Sequence, residues 1–352
     1  MTPTAADDLP SVSVVVPVWN EARYIEACIL RLLRQTYPPE RLEIVIVDGL
    51  SEDGTRDIVG RYITAEAGPP IAGRTPVYLV DAPGRQRPAA VNAGIRRARG
   101  GVIARVDART LVPPDYVERC VRSLLATGAD NVGGVQAPVA REPVQDAIGL
   151  AMSHPFGVGN AQFRIGKKSG FVDTVYLGCF RRQVFDRVGL FDEESALLSE
   201  DSDINQRIRQ SGGGVYLDAG IIVNYYPRES LAGLWRLYFR YGGARAGNLL
   251  KHGNLTSWRQ VVPAAFLLTL GSLAALSLFS RAALLAFCAL LGLYVVSDLA
   301  VSAVIAGRTC KPGLWPFLCA AFPCMHFGWA LGFFKRLAER RRSASSWAWT
   351  ER

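Results

Sequence analysis

The chain has 352 residues, 49% of them hydrophobic, and a formal net charge of +9 carried mainly by arginine. That length holds one large domain or a domain with an appendage, and the apolar excess, which gathers after residue 260, is high for a wholly soluble protein. A basic balance suits nucleic acid, anionic lipid or an anionic substrate; here the basic run KRLAERRR (335–342) directly follows an apolar segment, which disfavours nucleic acid and points to a membrane surface.

The first residues, MTPTAADDLPS, are polar and acidic, without the basic and then apolar regions of a secretory signal, so a flexible stretch over 1–10 and a cytosolic first domain are expected. SVSVVVPVW (11–19) is a β-branched run suited to a strand buried on both faces. Residues 21–36 follow with Ile25, Ile29, Leu32 and Leu33 at helical spacing. EIVIVDG (43–49) reads as a second buried strand, SEDGTRDIVGRYI (51–63) as a capped helix, and VYLVD (77–81) as a third strand. RQRPAAVNAGIRRARG (85–100) reads as a helix closed by Gly100, and GVIARVD (101–107) as a fourth strand. This rhythm predicts an α/β fold with a mostly parallel sheet and helices on both faces.

In such sheets ligands sit beyond the carboxyl ends of the strands. The polar residues there are Asn20, Glu21, Asp48, Asp81 and Asp107. Each also reads as a solvated strand end or a helix cap; Asp48 and Asp107, which end buried-type strands, are the better candidates for chemistry. GVGNAQ (157–162) lacks a third glycine and follows no strand, so it is no dinucleotide fingerprint, and no phosphate loop occurs. The seven cysteines form no CxxC pair and no zinc-like spacing, so reduced, packed thiols are expected.

The stretch 151–170 reads equally as an acceptor-binding flap or an ordinary surface loop, with His154 a loop histidine. FVDTVYLGCF (171–180) predicts a strand and RRQVFDRVG (181–189) a helix, before an acidic loop and a further helix from about 201 that ends at the glycine run 212–214. SEDSD (199–203) sets Glu200, Asp201 and Asp203 at the start of that helix. Acids in a first turn offset the helix dipole, which accounts for one or two of them; three together also suit a general base at a pocket rim.

Taken together, VSVVVPVWNEARYIEACILRLLRQTYP, EIVIVDGLSEDGT, AAVNAGIRRARGGVIARVDA, LGCFRRQVFDRVGLFDE and SEDSDINQRIRQSG, in this order and spacing, resemble glycosyltransferase family 2 over residues 11 to 250. These are inverting sugar-nucleotide transferases with the GT-A fold. The combination of FVDTVYLG, INQRIR and NYYPRESLAGLWRLYFRYG resembles the branch that includes succinoglycan-type exopolysaccharide glucosyltransferases. The resemblance implies that Pro17 and Glu21 line the nucleoside pocket and that Asp48 hydrogen-bonds the uracil. It implies that Asp107 meets the diphosphate through a divalent metal, Mg²⁺ or Mn²⁺, and that Asp201 is the general base. Gly178 and Glu200 would belong to the acceptor region. RYGGAR (240–245) falls where many relatives carry a basic motif ending in Arg-Trp, which leaves Arg240 and Arg245 as acceptor or diphosphate candidates.

The chemistry agrees. A departing nucleoside diphosphate needs a cation, and the attacking hydroxyl must lose its proton to a base on the opposite side. One aspartate suffices for Mg²⁺ when the diphosphate supplies further oxygens. Arg109 stands where a second acid is common, and two readings are open: it pairs with the diphosphate and supplements the metal, or it points into solvent.

Residues 261–280, 282–306 and 313–334 are three apolar runs of membrane-spanning length. Three crossings from a cytosolic domain would place the basic tail (335–352) outside, against the positive-inside tendency, whereas two crossings with an interfacial third segment keep it inside. Ahead of them, residues 229–260 set Leu231, Leu234, Trp235, Tyr238 and Phe239 on one side with Arg236, Arg240 and Arg245 interspersed, as at a membrane interface. The expected protein is a multi-pass plasma-membrane enzyme whose GT-A domain spans 11–228, moving a hexose from a UDP-sugar to a hydroxyl of a lipid-linked acceptor. Its alternatives are transfer to a polyprenyl phosphate and a non-catalytic nucleotide-binding scaffold; a processive synthase is disfavoured.

Overall fold

The computed structural model describes residues 9–64, 73–83, 86–166, 168–193, 200–253 and 261–339. Residues 1–8, most of the acidic loop before 200, residues 254–260 and the tail from 340 lie outside these. Two compact units divide the described chain: residues 9–137 with 166–225, and residues 138–165 with 226–339.

The first unit is built on one nine-stranded sheet. Strand β1 (Val12–Val18) lies parallel between β2 (Leu42–Asp48) and β4 (Val102–Arg105), and β3 (Val77–Asp81) lies parallel outside β2. Beyond β4 the order continues β8 (Tyr176–Arg181), β6 (Asn131–Pro138), β9 (Val215–Tyr225) and β5 (Thr110–Leu111), with β7 (Gly170–Phe171) paired to β9. The β4–β8, β6–β8, β5–β9 and β7–β9 pairs are antiparallel. The four strands expected from the first 107 residues thus make the parallel half.

Every residue of β2, and all but Pro17 of β1, is buried. Helix α1 (Ile25–Leu33) buries Ile25, Cys28, Ile29 and Leu32 in the same core as Val14, Val16, Ile44 and Ile46. Each such aliphatic side chain contributes roughly 1.5–3 kcal/mol when wholly buried. Helices α2 (Thr55–Gly60), α3 (Arg87–Arg97), α4 (Tyr116–Thr127), α8 (Gln183–Val188) and α9 (Glu200–Gln210) complete the unit. The strand order turns about at β1, so a crevice opens at the carboxyl ends of β1 and β4.

The second unit is helical: α5 (Pro143–Met152), α6 (Pro155–Val158), α7 (Gln162–Ile165), α10 (Leu231–His252), α11 (Val262–Leu276), α12 (Arg281–Arg308) and α13 (Trp315–Ala338). The segment from 151 is not an ordinary surface loop. The His154 ring accepts a hydrogen bond from the Phe156 amide at 3.2 Å, and Phe156 packs among the rings of Tyr294, Phe322 and His326. Helices α10 and α13 touch backbone to backbone: a Cβ built on Gly242 or on Gly332 would lie 1.8 Å from the carbonyl oxygen of Trp329 or Phe239. Small residues at such a seam allow close helix approach.

Helix α12 and the stretch Pro312–Ala338 are long and apolar enough to cross a membrane. Helix α11 has 15 residues, about 22 Å at the usual rise, which is short for a crossing by itself. Helix α12 inverts the pattern of a soluble helix. Leu284, Leu285, Leu293, Val296 and Leu299 are exposed, while Asp298 and Ser302 are buried and the Ser302 hydroxyl donates to Asp298 at 3.2 Å.

Candidate active site

The loops after β1 and β2 are stitched together at the crevice. The Asn20 amide donates to the Ser51 hydroxyl and the Glu52 amide to the Asn20 side-chain oxygen, at 2.9 and 2.8 Å. The Glu21 amide donates to Thr55 Oγ1 at 2.9 Å and the Ala22 amide to Asp53 at 3.0 Å. Asn20 holds a left-handed backbone, φ 53°, which asparagine tolerates better than most residues.

Asp48 ends β2 wholly buried. Its oxygens accept from the Ser51 hydroxyl at 2.5 Å, the Ser51 amide at 3.0 Å and Arg56 Nη1 at 2.6 Å. The same Nη1 reaches Asp81, at the end of β3, at 2.7 Å. The carboxylate expected to meet a uracil is therefore engaged by its own loop, and Arg56 ties the ends of two strands together. Pro17 is half-buried on β1.

Opposite lies an acidic cluster around one guanidinium. Arg105, 1% exposed, donates through Nε and Nη2 to Oδ1 of Asp107 at 3.2 and 3.1 Å, and through Nη2 to Glu200 at 3.1 Å. Its Nη1 pairs with Oδ1 of Asp201. Arg87 approaches Glu200 at 3.6 Å. Asp107 and Asp201 keep about a quarter and a third of their side chains open, whereas Glu200 is 2% exposed. No described residue donates a hydrogen bond to Oδ2 of Asp107 or of Asp201. Burial alone would raise the Asp107 carboxyl, but Arg105 and then Arg87 outweigh it, and its pKa is lowered. Burial, reinforced by Glu200 and Asp107 against Arg105, pushes Asp201 up to about 7.

The other acid of the first turn, Asp203, is wholly buried and paired with Arg207 at 2.8 Å, while Arg207 also donates to the carbonyls of Val188, Gly189 and Leu190. Asp203 is structural. Glu200 has little open surface and is engaged by Arg105 and Arg87.

Arg109 does not point into solvent. Its Nε lies 3.0 and 2.9 Å from the two oxygens of Glu21, and its guanidinium stacks over Tyr24 at 4.9 Å. Gly178 sits inside β8 at φ 110°, where a Cβ would meet the Phe180 ring at 2.6 Å, so glycine is a backbone requirement there. Arg240 and Arg245 are half-buried on α10 in the second unit.

Two functional candidates escaped the sequence reading. An arginine inside the apolar run GVIARVD was the signal for Arg105, since a charge in a buried strand needs partners. For Arg56 no local signal existed.

Among the described residues no group of three or more histidines, cysteines and acids is placed to hold a metal. Oδ2 of Asp107, a carboxylate oxygen that no described residue engages, fits a hard ion that takes its other ligands from phosphate and water.

A parallel half-sheet with acids at its carboxyl ends, and a helix-borne aspartate across the crevice, define a GT-A transferase. The family model described as Glycosyl transferase family 2 matches residues 13–189, and that described as Glycosyl transferase family group 2 matches 102–297. The chain belongs to glycosyltransferase family 2 and is a glycosyltransferase. It is 32% identical to the succinoglycan biosynthesis protein ExoA of Rhizobium meliloti, over 96% of this chain and 99% of that protein. It is 30% identical to the glycosyltransferase AglE of Haloferax volcanii, over 66% of this chain and 72% of that one. Among solved structures the fold matches the mannosyltransferase PcManGT of Pyrobaculum calidifontis in complex with GDP-Man and Mn²⁺, with a TM-score of 0.60, 21% identity, and coverage of 96% of this chain and 89% of that chain.

Proposed function

We propose that the chain moves a hexose from a UDP-sugar to a hydroxyl of a lipid-linked acceptor, inverting the anomeric centre, in exopolysaccharide or glycolipid synthesis. The observation that carries this reading is the pair of aspartates, Asp107 and Asp201, that flank the crevice with one oxygen of each anchored on Arg105 and the other open. Similarity to a succinoglycan biosynthesis protein over nearly the whole chain supports the product class.

In this reading Asp107 would hold Mg²⁺ or Mn²⁺, which when bound supplies positive charge at the leaving diphosphate. Asp201 takes the proton of the attacking hydroxyl through Oδ2. A carboxyl lifted toward 7 is matched to that task at neutral pH. Pro17, Glu21 and the stitched loops line the nucleoside side, with Asp48 shaping the loop through Ser51 and Arg56. Arg109 braces Glu21 and would serve the diphosphate as a second cation. Gly178, Arg240 and Arg245 are assigned to the acceptor side.

The enzyme works at a membrane, with its catalytic domain (11–228) cytosolic, an interfacial segment (229–260) and embedded helices (261–334). The inverted α12, apolar outside and polar inside, supports this, because lipid makes an exposed apolar surface of that length favourable.

A donor panel including UDP-glucose, run on the full chain in lipid and assayed for nucleotide release, tests the reading. Release from one donor, abolished by EDTA, restored by Mn²⁺ and absent in Asp107→Ala, is expected. Release indifferent to EDTA would move the work of Asp107 to Arg109. Full acceptor transfer by Asp201→Asn would point to a lipid phosphate as acceptor, whose anionic oxygen attacks without a general base. UDP binding with neither hydrolysis nor transfer, lipid extracts included, would leave the scaffold alternative.

A further inference from the structure

Arg105 is the most deeply buried cation of the site, and its surroundings are unlike an ordinary structural ion pair. It leaves the core at the last residue of β4, with the Phe191 ring 5.9 Å from its guanidinium carbon. From there one planar group serves three carboxylates on two elements: Asp107 just past β4, and Glu200 and Asp201 in the first turn of α9. Those elements are 95 residues apart in sequence at the Glu200 contact, so the guanidinium joins the two halves of the crevice. The division of oxygens matters most. The guanidinium takes Oδ1 of Asp107 and Oδ1 of Asp201, and neither Oδ2 accepts a hydrogen bond from a described residue.

A flexible lysine could neutralise these acids but could not hold two carboxylates in fixed mutual orientation, because an ammonium is a point charge and a guanidinium is a rigid fork. Glu200, 2% exposed, shares the one oxygen Oε1 between Arg105 at 3.1 Å and Arg87 at 3.6 Å, and so adds a third fixed point for the fork.

We propose that Arg105 is a shared positioning residue: it sets the donor-side aspartate and the acceptor-side aspartate in one geometry, and as the resident cation of the cluster it keeps these acids from capturing a divalent ion unless a nucleotide diphosphate brings further oxygens. The proposal rests on the roles given above to Asp107 and Asp201. It makes donor loading and base alignment two consequences of one side chain. Asp107 has its Oδ1 committed to Arg105, so it offers a metal one oxygen and, beside a fixed positive charge, little attraction. The phosphates of the donor tip that balance. Asp201 stands ready on the same fork.

The test compares wild type, Arg105→Met and Arg105→Lys as full chains in lipid nanodiscs. Two readouts are taken: Mn²⁺ binding by calorimetry with and without UDP, and steady-state release of UDP from UDP-glucose. Wild type is expected to bind Mn²⁺ weakly alone and much more tightly with UDP. In Arg105→Met, Mn²⁺ alone should bind at least about tenfold more tightly, since a unit of positive charge has left the site, and the gain on adding UDP should shrink. Its kcat should fall by about 100-fold or more, the scale of a lost general base, with KM for UDP-glucose changed only a few-fold. Arg105→Lys keeps the charge and loses the fork, so its Mn²⁺ binding should stay wild-type while kcat still falls. This variant carries the test if Arg105→Met does not fold.

A purely structural arginine would lower the folded fraction without moving Mn²⁺ affinity per folded molecule, and that result in Arg105→Met overturns the proposal. So does wild-type kcat in Arg105→Lys. Asp107→Ala and Asp201→Asn separate the two levels. If both are inactive while the Arg105 variants are normal, the site reading stands and the Arg105 proposal falls. If Asp201→Asn and Asp107→Ala are fully active, or wild type shows no UDP-dependent Mn²⁺ binding, the site reading falls and takes Arg105 with it.

Discussion

Replacing Arg56 by methionine isolates the clamp between the ends of β2 and β3. Asp48 is wholly buried and keeps two bonds from Ser51 after the change, but loses its only charged partner among the described contacts. Stripping a fully buried carboxylate of its cation costs about 3–5 kcal/mol. Arg56 is 36% exposed, however, so water partly replaces it and salt already screens the pair. The discounted expectation is about 1–2 kcal/mol, or a fall of about 3–6 °C in melting temperature for a unit of this size. Asp81, 53% exposed, contributes little: Asp81→Asn should cost under about 0.5 kcal/mol. Thermal unfolding of the full chain in detergent, followed by tryptophan fluorescence, measures both. Because the clamp holds the loop that the proposed function assigns to the nucleoside side, Arg56→Met should also raise the donor KM. A methionine variant that melts with wild type, or an Asp81→Asn variant that loses as much as Arg56→Met, would refute this account of the loop.

The pH dependence follows from Asp201. Its carboxyl is raised from 3.8 to about 7 by burial, then by Glu200 and Asp107, so its contribution to stability is present at acid pH and is lost as pH rises through about 7, while under the proposed general-base role the ionised form appears over that same interval. The kcat profile should therefore rise with a midpoint nearer 7 than 4, and a limb near 4 contradicts the assignment. In the second unit, Gly332→Ala drives a methyl into the Phe239 carbonyl. It should cost about 1–3 kcal/mol by overpacking, seen as faster amide exchange along α10 and α13 with UDP affinity unchanged; unaltered exchange would mean that the seam is loose. If α12 and α13 both cross the membrane, as the proposed function has it, a C-terminal tag should be cleaved by protease in inverted vesicles and protected in right-side-out ones.

Much of the parallel half was legible along the chain. The runs 11–19 and 43–49 are β-branched because both faces of β1 and β2 are covered, and Ile25, Ile29 and Leu32 recur at the helical period because one face of α1 meets the sheet. The short strands β5 and β7 and the glycine-bearing β6 carry weak local patterns and took their places from pairing. Of the acids, strand-end position singled out Asp48 and Asp107. The three at the start of α9 are alike in local pattern, and only the family resemblance sets Asp201 apart; in the structure burial separates them, with Asp203 closed onto Arg207, Glu200 sunk beneath Arg105 and Asp201 partly open. The sequence around Arg109 leaves it open to diphosphate or water, yet Glu21, 88 residues away, holds it.

What the amino-acid order determined by itself is the set of local periods: which segments are strands or helices, which faces are apolar, where acids fall at strand ends, and which runs are long enough for lipid. Those depend on neighbours within a turn or two of backbone. Which charge meets which was decided only by the tertiary structure, because the crossover connections bring β2, β4 and α9 to one crevice edge, and the strength of an ion pair depends on distance and burial in space rather than on separation along the chain.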